Sequence, residues 1–342
     1  MTAAIRPLTR VQVGVETTAG SEVNGTRLLS LESASVNEGV TLHTNENQMT
    51  GLLERTFQAS VPTRFAPEFA FSGPLDFTQI LLPLLSGMDG GVTPTGSTAK
   101  IWTFLGAGID RTTYTIETVA SDGTNLDSLT ATYGFTTEME ISGGLDATPT
   151  LSWSMVSRAT SAKSAATGIA LPTLTNIASP LAKIYIDGTW ANLGTTQISG
   201  EILSWTWKMT MKGVPRFTID GRAGLDLTGV ALRPHVVDLS INILHNASNS
   251  GLVVQERAAK AAGTGRAVRV KLDDGVQIQS GPINSSVVLD GFYDHQDDSL
   301  PGQLGSDDDG ELVTSLHLMN RYETSASKSS EVVVTNLASS FP

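Results

Sequence analysis

The chain carries the same β-rich unit twice, about 174 residues apart, and this repetition limits the folds open to it more than any other feature. Residues 10–20, RVQVGVETTAG, line up with residues 184–194, IYIDGTWANLG, so that Gly14 matches Gly188 and Gly20 matches Gly194. The strand pattern of Leu28 to Val36 falls opposite Ile202 to Thr210, and Phe65 to Phe71 falls opposite Leu239 to His245. A short helix near Asp76 to Leu85 falls opposite Leu252 to Ala262. Side-chain identity is low, but the order strand, strand, strand, helix keeps a nearly constant offset. A duplicated β-unit in one chain is a quasi-symmetric building block, and such repetition points to assembly before catalysis.

Size and composition fit two such units. The chain has 342 residues, beyond the usual limit of a single core, and each half is large enough to bury its own. Charged residues make up only 16% of the sequence, while Ser, Thr and Gly are abundant, which favours strands and turns over long helices. So little surface charge fits a subunit buried against its neighbours, and equally a Ser/Thr-rich soluble surface. The net charge of −12 and the lack of a basic patch argue against tight nucleic-acid binding. The same charge suits a surface that duplex must slide past, since carboxylates repel phosphates.

Alternation marks the strands. In the first half Leu29 and Leu31 face one way, Ser30 and Glu32 the other, and Phe57, Ala59 and Val61 repeat the pattern. Phe69 and Phe71 alternate with Glu68 and Ala70 until Gly73-Pro74, where the strand is expected to stop. A helix of about ten residues should follow, with Asp76 stabilising its free N–H groups. Asn37 to Thr50 is polar and aperiodic and reads as a long loop, and Gly87 to Gly96 as a turn-rich connector. Further strands are expected at Thr112 to Val119, Leu126 to Phe135, Thr137 to Ser142 and Thr150 to Val156. Residues 158–180, rich in Ala, Ser and Thr with Pro172 and Pro180, read as a linker without regular structure.

The second half gives the clearest pattern. Leu203, Trp205, Trp207, Met209 and Met211 occupy one face against Ser204, Thr206, Lys208, Thr210 and Lys212 on the other. Two tryptophans on one face fit a core or subunit interface better than a sugar-stacking platform. Val237, Leu239, Ile241 and Ile243 form the next strand, and the helix at Leu252 to Ala262 ends at Gly263 and Gly265. Strands at Val268 to Leu272, Val276 to Gln279, Ser285 to Leu289 and Leu312 to Met319 complete the copy.

Catalytic signatures are missing. The sequence holds no G-x-S-x-G, Walker A, H-E-x-x-H or dinucleotide fingerprint, and it has no cysteine. His43, His235, His245, His295 and His317 lie in different segments without metal-ligand spacing. The acidic run Asp290, Asp294, Asp297, Asp298, Asp307, Asp308, Asp309 and Glu311 fails the calcium-loop register, because Gly305 and Leu316 fall where carboxylates are required. It reads as a solvated acidic hairpin loop. No cofactor and no metal are expected, and no apolar run reaches membrane-spanning length.

The order of these elements resembles a family. A glycine-containing N-terminal arm, a long first strand, a polar loop and a strand entering a short helix at FAPEFAFSGPLDF (residues 65–77), then a Gly-rich meander, are similar to the tail tube, or major tail, proteins of long-tailed, non-contractile bacteriophages. The likeness covers residues 10–157 and 181–322 and rests on element order, since the family has no short invariant motif. The resemblance implies a mainly β fold of two tandem tail-tube-like β-sandwich or half-barrel domains, each with one short flanking α-helix. The first domain would span residues 1–157 with an N-terminal arm, the linker 158–180, and the second domain 181–342 with a C-terminal arm.

In that family such units close into rings that stack into a hollow tube, single-domain members as hexamers. Two units per chain imply three chains per ring with pseudo-sixfold symmetry. The implied partners are further copies of the chain, a tape-measure protein, tail terminator and distal tail proteins, and DNA in non-specific transit, in a virion assembled in a host cytoplasm. Lumen-lining candidates are Glu68, Glu138, Glu140 and Asp238, each on the polar face of a strand. Inter-ring candidates are Asn37, Glu38, His43, Asn45 and Glu46 in the first half and Arg216, Asp220 and Arg222 in the second. The alternative is a tandem β-sandwich recognition module, for instance for glycans, which needs exposed aromatics.

Overall fold

The computed structural model describes residues 9–43, 60–121, 126–145, 147–163, 167–174, 177, 181–198, 202–218, 226–244, 250–281, 283–300, 307–308 and 311–341. The protein is mainly β, and every strand pairing among the described residues is antiparallel. Among the described residues no sheet closes on itself into a barrel.

The first half contains β1 (Arg10–Val15), β2 (Arg27–Leu28), β3 (Ser33–Asn37), β4 (Val40–His43), β5 (Val61–Phe65), β6 (Glu68–Pro74), α1 (Leu81–Gly87), β7 (Lys100–Leu105), β8 (Tyr114–Ser121), β9 (Leu126–Gly144), β10 (Thr150–Val156) and β11 (Ala159–Ala162). The second contains β12 (Lys183–Asp187), β13 (Gln197–Ile198), β14 (Ile202–Thr210), β15 (Gly213–Arg216), β16 (Gly229–Leu232), β17 (Val236–Leu244), α2 (Ser250–Ala262), β18 (Arg266–Gln279), β19 (Ile283–His295), β20 (Asp307–Asp308), β21 (Glu311–Asn320) and β22 (Ser330–Asn336).

The two halves share one pairing plan. In the first, β2 joins β1, β1 joins β8, β8 joins β9, and β9 carries both β11 and β10; β10 then leads to β6 and β3. In the second, β13 joins β12, β12 joins β18, β18 joins β19, and β19 carries both β22 and β21; β21 leads to β17 and β14. A side hairpin interrupts each plan at the same point, β4 with β5 and β15 with β16. The second matched pair of glycines, Gly20 and Gly194, has matched settings. Gly20 (φ +82°) donates its N–H to the Glu16 carboxylate at 2.7 Å, and Gly194 (φ +94°) to that of Asp187 at 2.9 Å. The positive φ at both positions calls for glycine, and a Cβ on either would meet the mobile guanidinium end of an arginine, Arg158 or Arg269.

The long strands explain how one chain serves two layers. β9 is a single strand of 19 residues where two short ones are expected from the sequence. Its first part pairs with β8 and β11, its second with β10 and β14, and the change comes beside Tyr133 (φ +59°) and a bulge opposite Ser154/Met155. A bulge bends and twists a strand, which here lets it leave one layer for the other. β18 likewise runs through Gly275 (φ +71°), joining two expected strands.

Several expectations are corrected. Of the stretch expected as a loop from Asn37 to Thr50, residues 37–43 are no simple loop: β3 reaches Asn37, Gly39 (φ +61°) turns the chain, and β4 pairs with β5, while 44–50 lie outside the described residues. β6 continues through Gly73 and Pro74. α1 begins only at Leu81, one turn later than expected, while Asp76 caps the turn before it as expected, its carboxylate accepting the N–H groups of Thr78 (2.9 Å) and Gln79 (2.8 Å). In the segment expected to be irregular, Ala159–Ala162 is a strand, paired with β9. The strand expected at Thr56 to Val61 lies largely outside the described residues; Val61 itself opens β5.

β7 and β22, absent from the sequence reading, pair with each other across the two halves, Phe104 opposite Val332 and Trp102 opposite Val334. Beyond β22 the chain returns to the first half. The Trp102 indole donates to the Ala338 carbonyl (3.2 Å), the Asn336 amide to the Phe77 carbonyl (2.8 Å), and Phe341 meets Tyr114 edge-on beneath the Arg27 guanidinium.

One apolar cluster runs through both halves, from Val13, Phe71, Ile141 and Trp153 to Trp207, Ile241 and Val270. Trp205 and Trp207 are 4% and 1% exposed, so their stripe is core and offers no face to a ligand. Two cations close the end of α1, Arg111 from the first half and Lys212 from the second. Arg111 Nη1 donates to the carbonyls of Ser86 and Gly87 at the helix end (3.3 Å each), where carbonyls lack helical partners. Lys212 is buried with its ammonium against the carbonyls of Met88 and Gly108, and burial lowers its pKa. Next to it His235 bonds Ser330 Oγ (2.7 Å), and burial, then the Lys212 charge, push its pKa down to about 4, so it is neutral at physiological pH.

Candidate functional site

The halves meet strand to strand. β14, the end strand of the second half's layer, lies on the outer edge of β9, from Ser204 opposite Gly144 to Thr210 opposite Glu138. The result is one continuous layer in the order β3-β6-β10-β9-β14-β17-β21-β19. Residues directly opposite each other in an antiparallel pair point to the same face. One row across the layer is therefore Ser33, Ser72, Ser152, Glu140, Lys208, Asp238, Met319 and Asp294. The neighbouring row on the opposite face is Gly73, Leu151, Ile141, Trp207, Leu239 and Leu318, all core.

Three of the four lumen candidates converge on Lys208 at the joint. Its ammonium is 2.9 Å from Glu138, and it stands directly between Glu140 on β9 and Asp238 on β17. Hydrogen bonding to Glu138 raises the Lys208 pKa. Burial raises the pKa of Asp238, and this outweighs the opposing attraction of Lys208. Glu68 lies on the same polar face, exposed, at the far end of β6 opposite Val156 and Asn37, away from the lysine. The rest of this face is hydroxyl-rich, and Ser33, Ser35, Ser72, Ser152 and Ser154 with Glu138 and Glu140 line a concavity of ≈ 300 Å³.

A raised carboxylate pKa means the folded state holds the Asp238 proton more tightly than the unfolded chain. The resulting penalty is absent below the unfolded value, roughly pH 4, and grows as pH rises through it towards the folded value. Asp238→Asn is therefore expected to stabilise the protein at pH 7 and to leave it unchanged at pH 3, read from denaturant midpoints at the two pH values. Destabilisation at pH 7 would mean that the attraction of Lys208 dominates.

The inter-ring candidates divide between two hairpins. Asn37 ends β3 and its Oδ1 accepts the Gly39 N–H (3.0 Å), Glu38 lies in the turn, and His43 ends β4. Arg216 ends β15. Asn45, Glu46, Asp220 and Arg222 lie outside the described residues. The hairpins touch, with the Arg64 guanidinium of β5 5.0 Å over the Phe217 ring that follows β15. Leu42 and Val61 on one and Leu232 on the other are more than half exposed.

The acidic run is not a single solvated loop. Asp290 is buried in β19 and held by two 2.7 Å bonds from Arg269, Asp294 pairs with Arg321 (2.9 Å), and Asp298 with His317. Among the described residues no group of His and carboxylates is placed to hold a metal ion. His295 is also buried, beside Glu256 (3.2 Å), which Arg266 binds through its Nε and Nη2. His245 lies outside the described residues.

The sequence reading missed the edges that this layer leaves. β3 pairs with β6 alone among the described residues, and all five of its residues are exposed. β14 holds the same place in the second half's plan, but there β9 covers it and its residues alternate between buried and half-buried. No alternation in β3 marks it as an edge, because that depends on what lies beside it. The chain matches no family model and no curated protein sequence.

Proposed function

We propose that the chain is the subunit of a hollow tube of the tail-tube type. Its two halves are successive units of a ring of three chains, and stacked rings form a conduit for DNA. The observation that carries this is the β9–β14 joint: two units with the same pairing plan are already joined head to tail inside one chain. A head-to-tail contact leaves one unsatisfied edge at each end, and repeating it between copies gives a closed ring or an open filament. Closure removes every exposed edge of the layer and with it the aggregation hazard of β3.

The face carrying Glu68, Glu138, Glu140 and Asp238 is the lumen in this reading, with carboxylates in excess over Lys208. Such a wall repels phosphates and lets duplex pass. The paired hairpins β4–β5 and β15–β16 would meet the next ring through their exposed apolar residues. A tape-measure protein would fill the tube, and terminator and distal tail proteins would cap it.

Electron microscopy of the purified protein across a concentration series tests the reading. Hollow rings or tubes with three chains per layer are expected. Six chains per layer would retain the tube and remove the pseudo-sixfold argument. A protein that stays monomeric throughout and captures glycans in that state would overturn the proposal in favour of a recognition module.

A further inference from the structure

Beside the β9–β14 joint, the β15–β16 hairpin of the second half clasps the first. Phe135 and Val156, opposite each other on β9 and β10 at the end of the polar face, are buried against Leu227, Phe217 and Val230. Gly213 brings the hairpin so close that a Cβ there would stand 3.0 Å from the Phe135 ring. Arg158, two residues past Val156, holds the hairpin: its Nε donates to the Leu227 carbonyl (3.2 Å) and faces Asp226 (3.8 Å). The second half has the same fitting. Met319 takes the place of Val156, on β21 opposite Asp294 and Asp238. Two residues on, Arg321 N–H donates to the Phe292 carbonyl (2.7 Å), as Arg158 N–H does to that of Thr132 (2.9 Å). The Arg321 guanidinium lies 5.2 Å over the Phe292 ring, as that of Arg158 lies 4.4 Å over the Tyr133 ring. What differs is the cover. Val156 is 7% exposed, whereas Met319 is 38% and the neighbouring Tyr322 59% exposed.

We infer that the β4–β5 hairpin of the next copy covers this end of β21, packing on Met319 and Arg321. This rests on the ring reading and adds to it a second contact within each ring. β4–β5 is the first-half counterpart of β15–β16, and it carries the face that the contact needs. Val40 and Leu42, two apart on β4, share a face with their partners Phe65 and Pro62. All four are apolar, and Val40, Leu42 and Pro62 are exposed. On β15–β16 the corresponding face is turned to Phe135 through Gly213 and Val230. Val40 and Leu42 settle on Met319 as those residues settle on Phe135 and Val156, and Arg321 stands where Arg158 grips the hairpin within one chain. Val61, paired with His43 on the other face, remains for the contact with the next ring.

The chain has no cysteine, so introduced pairs report without background. Val40→Cys and Leu42→Cys are each combined with Met319→Cys or Arg321→Cys, all at exposed positions whose replacement should leave the fold intact. A short bifunctional thiol cross-linker is added, and products on denaturing gels are compared with the number of chains per layer seen by electron microscopy. At least one pair is expected to give products that end at the three chains of one layer. The four single variants should give none, because the contact joins unlike surfaces. Products that run past one layer place the hairpin on another ring, and products confined to one chain fold it back on its own subunit; either overturns the inference. Tubes that form normally but cross-link at no pair also overturn it and leave the ring reading intact. Failure of the cysteine-free protein to assemble at all removes both.

Discussion

Ala34→Pro is expected to abolish assembly while leaving the subunit folded. The Ser72 carbonyl faces β3, where it accepts the Glu32 N–H, so Ser33 and Ser35 bond their partners Ser72 and Ala70, and the Ala34 N–H points away from β6, towards the edge that the next copy would occupy. Proline removes that donor and places its ring in the path of an incoming strand, yet leaves the inward bonds of Ser33 and Ser35 in place. It is therefore tolerated on an edge strand and blocks pairing there. Sedimentation and circular dichroism check the two halves of the expectation: a monomer at concentrations where the proposed assembly is seen for wild type, with an unchanged β spectrum. Ala70→Pro, on the neighbouring β6 with β3 on one side and β10 on the other, is the control and should unfold the first half. Normal tubes from Ala34→Pro would exclude β3 as an assembly edge.

Trp207→Ala should cost about 3–5 kcal/mol of folding stability. The indole is 1% exposed in the row that crosses both halves, between Ile141 of β9 and Leu239 of β17. Truncation removes its buried surface and leaves a cavity at the joint itself, where neither sheet can collapse without breaking register with the other. A denaturant titration should show a lower midpoint with an unchanged slope. Leu232→Ala, on a side hairpin and 52% exposed, should stay within about 0.5 kcal/mol of wild type. A loss below about 1 kcal/mol for Trp207→Ala would mean that the joint is loosely packed.

Much of this arrangement can be read from the residues. Period-two alternation marks β10, β14 and β17 with nearly their observed bounds, because each has one core face and one polar face. The same alternation puts Glu68, Glu138, Glu140 and Asp238 on polar faces. It cannot show that Lys208 stands between Glu140 and Asp238, since that depends on register between strands far apart in sequence. β7 and β22 carry a signal that was passed over: Trp102 with Phe104, and Val332 with Val334, alternate with exposed or half-buried neighbours. β11 carries none, because Ala-Thr-Ser-Ala has no apolar period and is a strand only through its place beside β9. The unity of β9 was hidden by its bulge, which shifts the period partway along and makes one strand look like two.

The pairing of β7 with β22 has a consequence in time. A ribosome makes residues 100–105 long before residues 330–336, so a growing chain holds β7 without its neighbour until synthesis is almost complete. The Phe341 ring that closes over Tyr114 arrives later still. Contacts of such long sequence separation form slowly, and the first half cannot finish folding on its own schedule. An interrupted chain thus lacks the means to complete even the part already translated.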